Sequence, residues 1–177
     1  MRTKAVFLDR DGTINEDKGY VGKVKDFKFL PRVLEALKKL SKSKYRIIII
    51  TSQSGIGRGY YTHKDFMKIT KYMLDKFKKE KIRIDAIYFC HHAPEEKCNC
   101  RKPKTGLIEQ AEKRFDINLK QSFVIGDKTS DIMLGKNAGC RTILLLTGKA
   151  GRDNQYKAKP DYICKDLLEA VKIVLWL

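Results

Sequence analysis

Short β-branched and aliphatic runs punctuate this chain, and the stretches between them carry apolar residues at helical spacing. That alternation leaves few folds open. A strand followed by a helix and another strand needs a crossover, and repeated crossovers build a parallel sheet with helices on both faces. Strands are expected at about 4–8, 46–50, 86–90, 122–126 and 142–146. Between them Val33, Leu34, Leu37 and Leu40, then Phe66, Ile69, Met73 and Phe77, then Leu107, Ile108 and Ala111, form stripes that should face the sheet. Pro31 is expected to open the first helix, where its missing N–H does no harm, and Thr62 and Thr129 are expected N-caps. The tail from Asp161 to Leu177 reads as an edge strand and a closing helix.

At 177 residues the chain suits one domain spanning 1–177, large enough for one core. Its apolar runs are far shorter than the ~20 residues of a membrane-spanning helix. Met1-Arg2-Thr3-Lys4 leads straight into a strand without the apolar stretch of a signal peptide, so a cytoplasmic location is expected, with a monomer as the default. The formal charge of +17 invites a nucleic-acid reading. The lysines, however, are spread along the chain instead of gathered with stacking aromatics, so a solvated basic surface that steers small anions is the better account. The fold class is α/β, a Rossmann-like parallel sheet flanked by helices. Ligands of such sheets bind beyond the carboxyl ends of the strands.

The first strand runs into Asp9-Arg10-Asp11-Gly12-Thr13. Carboxylates at i and i+2 of an extended segment project the same way. Such a pair ionises fully only with a cation between its members, and otherwise one member stays protonated. A magnesium ion would neutralise the pair while Asp9 attacks phosphorus and Asp11, if protonated, gives its proton to the leaving oxygen. Gly12 lets the backbone turn behind the carboxylates. A lone Asp-x-Asp would be read as a solvated turn.

Cys90 and His92, with Cys98 and Cys100, offer three thiolates and an imidazole, the donor set of a closed structural zinc site. Alternation along an extended segment favours His92 over His91. Without a secretory signal, disulfides are not expected. Cys140 and Cys164 read as small packed hydrophobes. Arg101 and Lys102 follow Cys100 directly, so zinc would aim both cations at the phosphate.

The string Phe7-Leu8-Asp9-Arg10-Asp11-Gly12-Thr13-Ile14-Asn15 resembles the haloacid-dehalogenase superfamily of phosphatases. Ile50-Thr51-Ser52-Gln53, Arg101-Lys102-Pro103 and Ile125-Gly126-Asp127-Lys128 match it in order, and together they cover most of the chain. The resemblance implies that Asp9, the Asp11 carbonyl and Asp127 hold magnesium, while Thr51 and Lys102 stabilise the phosphoryl group. Asp131 supports the loop around Asp127 or simply starts the next helix. The zinc loop followed by Arg-Lys-Pro is similar to two branches, acting on heptose bisphosphates or on histidinol phosphate. Gln53-Ser54-Gly55-Ile56-Gly57-Arg58-Gly59, with Asp17-Lys18-Gly19-Tyr20-Val21 and Thr147-Gly148-Lys149, resembles the heptose branch.

That resemblance implies a phosphorylated sugar substrate contacted by Asp17, Lys18, Gly19, Tyr20, Ser52, Gln53, Ser54, Arg101 and Lys128. Ser52 stands where the branch commonly has Asn, and Arg58 is either a substrate contact or a solvent-facing cation. Neither insertion point leaves room for a large cap. A capless site also admits a DNA 3′-phosphatase, and a zinc-organised nucleic-acid module is the non-enzymatic alternative.

Overall fold

The computed structural model describes residues 2–177. Six strands form one sheet in which every neighbouring pair is parallel. They are β1 (Ala5–Leu8), β2 (Arg46–Ser52), β3 (Ala86–Cys90), β4 (Phe123–Gly126), β5 (Arg141–Leu145) and β6 (Tyr162–Cys164), in spatial order β3-β2-β1-β4-β5-β6. The strand order reverses beside β1, because the chain moves outward through β2 and β3 and returns to β4 on the other side. That reversal opens a crevice at the carboxyl ends of β1 and β4, the place where open α/β sheets bind ligands.

Both faces of the central strands are covered, so they are apolar throughout instead of alternating. Val6, Leu8, Ile47, Ile49, Phe123 and Ile125 point into one core with α1 (Val33–Ser41), α3 (His63–Lys79) and α6 (Leu167–Trp176). Ala5, Phe7, Ile48, Ile50 and Val124 point the opposite way, against α4 (Gly106–Phe115) and α5 (Thr129–Ala138). The expected stripes are buried as read, except that Leu34 is half-buried at the margin. Burying a large aliphatic side chain contributes ~1.5–3 kcal/mol, so these two layers fix the sheet on which the site stands.

The structure departs from the sequence reading at several element ends. β2 continues two residues beyond the isoleucine run, because β3 goes on pairing with it at Thr51↔Phe89 and Ser52↔Cys90. Thr62 caps α3 as expected: its Oγ1 accepts the Asp65 N–H at 3.1 Å while Asp65 accepts the Thr62 N–H. Pro31 does not open α1. It lies in a turn ahead of Arg32, whose left-handed φ of 63° precedes the first helical residue, Val33. Thr129 is the first residue of α5 and not its cap, and its hydroxyl donates to Asp153 at 2.7 Å.

A four-residue helix, α2 (Ser54–Gly57), follows β2 directly. Asn15 to Pro31 contains one 3-10 turn and an isolated antiparallel bridge from Asn15 to Phe29, with no inserted cap. Among the described residues no helix is long and apolar enough to cross a membrane.

Candidate active site

Asp9 leaves β1 and Asp127 leaves β4, so pairing of those strands brings the two carboxylates together. Carboxylate oxygens of Asp9, Asp127 and Asp131 lie within 4.8 Å of one another, and all three residues are buried. Lys102 reaches in from the segment after the cysteine loop. Its Nζ lies 2.7 Å from Asp9 Oδ1 and 2.6 Å from Asp131 Oδ1. Burial opposes the charge on Lys102, but Asp131 and Asp9 outweigh it and hold the ammonium above the usual lysine range. Asp131 Oδ2 accepts the Lys128 N–H at 3.1 Å, between Asp127 and the start of α5, while Oδ1 takes Lys102, a contact the sequence reading did not include.

Asp127 is built into glycine. A Cβ on Gly12 would stand 2.3 Å from its Oδ2, and a Cβ on Gly148 would stand 2.2 Å away. Both glycines have positive φ, so the turn and the close approach select the same residue. Asp127 Oδ2 accepts the Lys149 N–H at 2.7 Å, whereas Oδ1 is buried without a partner. Burial, reinforced by the charges of Asp9 and Asp131, pushes the Asp127 carboxyl up to about 8. Burial also raises Asp9 to about 6, despite the opposing pull of Lys102. A buried, unsatisfied acceptor among repelling carboxylates is the environment a hard divalent cation relieves, so the residues present fit magnesium.

Of the two outcomes open to the carboxylate pair, Asp11 does not take the protonated one at rest. Burial opposes its ionisation, but the Arg10 guanidinium and hydrogen bonds from Asn15, Arg10 and Gln53 outweigh it and hold the carboxyl below the ordinary range. Asn15 Nδ2 donates to Oδ1 at 2.9 Å, Gln53 Nε2 to Oδ2 at 2.9 Å, and Arg10 Nη2 to both oxygens at 3.0 Å. The raised carboxyls are Asp9 and Asp127 instead, where burial outweighs the single donor each has, Lys102 Nζ for Asp9 and the Lys149 N–H for Asp127.

A cleft of about 270 Å³ opens over these groups. Asp9, Asp11 and Lys102 line its floor, and Asp17, Gly19, Tyr20, Ser52, Ser54, Arg101 and Lys128 line its walls. Two residues expected at the substrate stand elsewhere. Lys18 lies outside the lining and points to Glu16, 3.8 Å away, and Gln53 is buried beneath the floor. Thr51 is also buried, with Oγ1 accepting Gln53 Nε2 at 2.7 Å. Arg58 pairs with Glu95 at 3.0 Å, the solvent-facing alternative. Sequence reasoning did not place Ser130, Lys149, Asp153 and Gln155 on the cleft wall. The signal for Lys149 was its position just beyond the carboxyl end of β5.

The cysteine cluster lies beside the cleft. Cys90, His92, Cys98 and Cys100 bring one donor atom each to within 4.8 Å of the others. Cys90 Sγ is 3.8 Å from Cys98 Sγ, and His92 Nδ1 is 3.3 Å from Cys100 Sγ. Bond lengths of about 2.3 Å to sulfur give a tetrahedral edge of roughly 3.8 Å, so the donor set fits zinc. His91 stacks on His92 at 4.1 Å and is not part of the group. Cys98 and Cys100 converge through a bend, not the extended segment that alternation assumed.

Comparison with known proteins gives concordant results. Residues 99–170 match a family model described as HAD-hydrolase-like. The chain is 49% identical over 173 residues to D-glycero-beta-D-manno-heptose-1,7-bisphosphate 7-phosphatase of Helicobacter pylori, covering 97% of each chain. It is 48% identical over 146 residues to the D-glycero-alpha-D-manno-heptose-1,7-bisphosphate 7-phosphatase of Campylobacter jejuni, covering 82% of this chain and 84% of that one. Among solved structures, D,D-heptose 1,7-bisphosphate phosphatase from B. bronchiseptica, complexed with magnesium and phosphate, superposes with a TM-score of 0.91 at 30% identity over 98% of each chain.

Proposed function

The chain belongs to the family of D-glycero-D-manno-heptose-1,7-bisphosphate 7-phosphatases, HAD-like hydrolases, and on that footing we propose that it removes the C7 phosphate of a heptose 1,7-bisphosphate. The observation that carries the chemistry is a buried Asp9 at the sheet's switch point, beside Lys102 and facing the unpartnered oxygen of Asp127. Asp9 attacks phosphorus, and the bond from phosphorus to the sugar oxygen breaks as Asp11 delivers a proton to that oxygen. Asp11 is held ionised at rest. The entering phosphoryl group adds negative charge beside it, which favours the protonated form. In the second half-reaction Asp11 takes a proton from water, whose oxygen attacks the phosphorus of the aspartyl-phosphate and frees Asp9. Lys102 and Thr51 hold the phosphoryl oxygens, and most of the rate gain comes from such positioning and neutralisation. Magnesium, held by Asp9, Asp127 and the Asp11 carbonyl, would neutralise the clustered carboxylates and polarise the phosphoryl oxygens.

Arg101, Lys128 and Lys149 give the cleft cationic walls for a second phosphate, while Asp17, Ser52, Ser54 and Ser130 offer polar groups to sugar hydroxyls. Lys128 is held in place by Asp17 at 3.0 Å. Zinc on Cys90, His92, Cys98 and Cys100 would fix the loop that carries Arg101 and Lys102. We read residues 1–177 as one domain acting as a monomer. The test is phosphate release from heptose 1,7-bisphosphate, histidinol phosphate and a 3′-phosphorylated oligonucleotide, with and without magnesium. Magnesium-dependent turnover of the heptose ester above the other two is expected. Equal or greater turnover of either alternative would overturn the substrate, and activity surviving Asp9→Asn would overturn the nucleophile.

A further inference from the structure

Gln53 follows β2 by one residue and is buried, yet its amide makes four hydrogen bonds to groups at the reaction centre. Nε2 donates to Asp11 Oδ2 at 2.9 Å and to Thr51 Oγ1 at 2.7 Å. Oε1 accepts from Tyr61 Oη at 2.6 Å and from Arg10 Nη2 at 3.1 Å. A primary amide has two N–H donors and two acceptor lone pairs, so its capacity is used in full. The orientation is forced as well. Turning the amide over would set its carbonyl against the Asp11 carboxylate and its NH2 against the Arg10 guanidinium.

The two groups that fix the amide are themselves closely packed. Arg10 is fully enclosed, with its guanidinium 5.7 Å from the Phe66 ring centre. Tyr61 is wedged between glycines: a Cβ on Gly55 would stand 2.2 Å from its Cε1, and one on Gly22 would stand 2.8 Å from its Cβ. Burial raises the Tyr61 hydroxyl to about 12, so it stays a donor.

We propose that Gln53 is a positioning residue: with its amide fixed by Tyr61 and Arg10, it holds Asp11 and Thr51 in register for phosphoryl transfer and touches no substrate. The proposal rests on the reading of Asp11 as the acid that protonates the leaving oxygen. It replaces the expectation that Gln53 contacts the sugar. The same alternation that sets Thr51 and Gln53 on one side of the chain makes the contact between them possible.

The experiment uses the full-length enzyme and the variants Gln53→Leu and Tyr61→Phe. It compares kcat/KM for heptose 1,7-bisphosphate, whose alkoxide must be protonated to leave, with that for p-nitrophenyl phosphate, whose phenolate leaves without a proton. Because kcat/KM stops at the first irreversible step, it reports leaving-group departure and not hydrolysis of the aspartyl-phosphate. Gln53→Leu should lower the value for the sugar at least about tenfold more than that for the aryl ester, with the sugar KM within about twofold of wild type. Tyr61→Phe keeps the wedged ring and folds independently of any defect in Gln53→Leu, and it should change the ratio in the same direction by a smaller factor. Equal losses on both esters, a ratio unchanged in Tyr61→Phe, or a raised sugar KM at constant kcat would overturn the assignment. A wild-type enzyme that hydrolyses neither ester would overturn the phosphatase reading itself.

Discussion

Replacing Lys102 by Met removes the ammonium from between Asp9 and Asp131 while keeping the length and volume of the side chain. Both contacts are shorter than 3 Å, and all three residues are at most 8% exposed, so solvent cannot take over the neutralisation. Breaking a buried ion pair costs about 3–5 kcal/mol because a buried charge is left uncompensated, against a total of about 5–15 kcal/mol for a domain. With a urea slope of about 2 kcal/mol per M, a loss of about 4 kcal/mol moves the midpoint down by about 2 M. Urea melts without magnesium at pH 8 and pH 5 are the assay. The deficit should shrink at pH 5, where the abandoned carboxylates can take up protons. Adding Asp131→Asn should restore part of it at pH 8, because one of the two opposed charges is then gone. A midpoint within about 0.5 M of wild type at pH 8, or a deficit that does not change with pH, would refute the view that Lys102 neutralises this cluster.

Raised carboxyls reverse the usual acid dependence. Asp9 at about 6 and Asp127 at about 8 bind more protons when folded than when unfolded, so stability without magnesium should fall as pH rises from about 4 through about 8. Magnesium should therefore raise Tm more at pH 8.5 than at pH 5.5, and equal increments in thermal melts would contradict the placement of the ion. Gly148→Ala forces a Cβ onto Asp127, whereas Gly139→Ala meets open space at a similarly positive φ. Both should lose about 1 kcal/mol to backbone strain, but only Gly148→Ala should also lose magnesium affinity, measured by calorimetry. Cys98→Ser should abolish a stoichiometric zinc content by elemental analysis and lower kcat at least about tenfold by releasing Arg101 and Lys102; full activity without zinc would count against the loop's role.

Much of this was legible in the sequence, for identifiable reasons. Fully buried strands read as unbroken apolar runs; Asp9 stood out as half of a carboxylate pair following the first strand, and Asp127 through the resemblance of Ile125-Gly126-Asp127-Lys128 to the family motif, and pairing of β1 with β4 sets the two side by side. The resting charge of Asp11 could not be read, because side-chain alternation gives direction but not partners. Arg10 intervenes, and Asn15 and Gln53 arrive from elsewhere in the chain. Pro31 failed as a helix start because Arg32 is left-handed, which breaks the helical path before Val33. Asp153 and Gln155 lie in a loop with no periodicity to read. Asp153 is held there by the Thr129 backbone and hydroxyl, contacts that only the folded chain supplies.

The spatial order of the sheet also governs when activity can arise during synthesis. Asp9 is translated before β4, which sets Asp127 beside it, and before the loop with Gly148 and Lys149. At about 5–20 residues per second, the nucleophile waits roughly 7–28 s for the ~140 residues that lead to Lys149. Until then β1 has β2 on one edge and nothing on the other, so the nascent chain carries Asp9 as an inert side chain. Phosphatase chemistry should therefore arise only once the sheet has closed around its first strand.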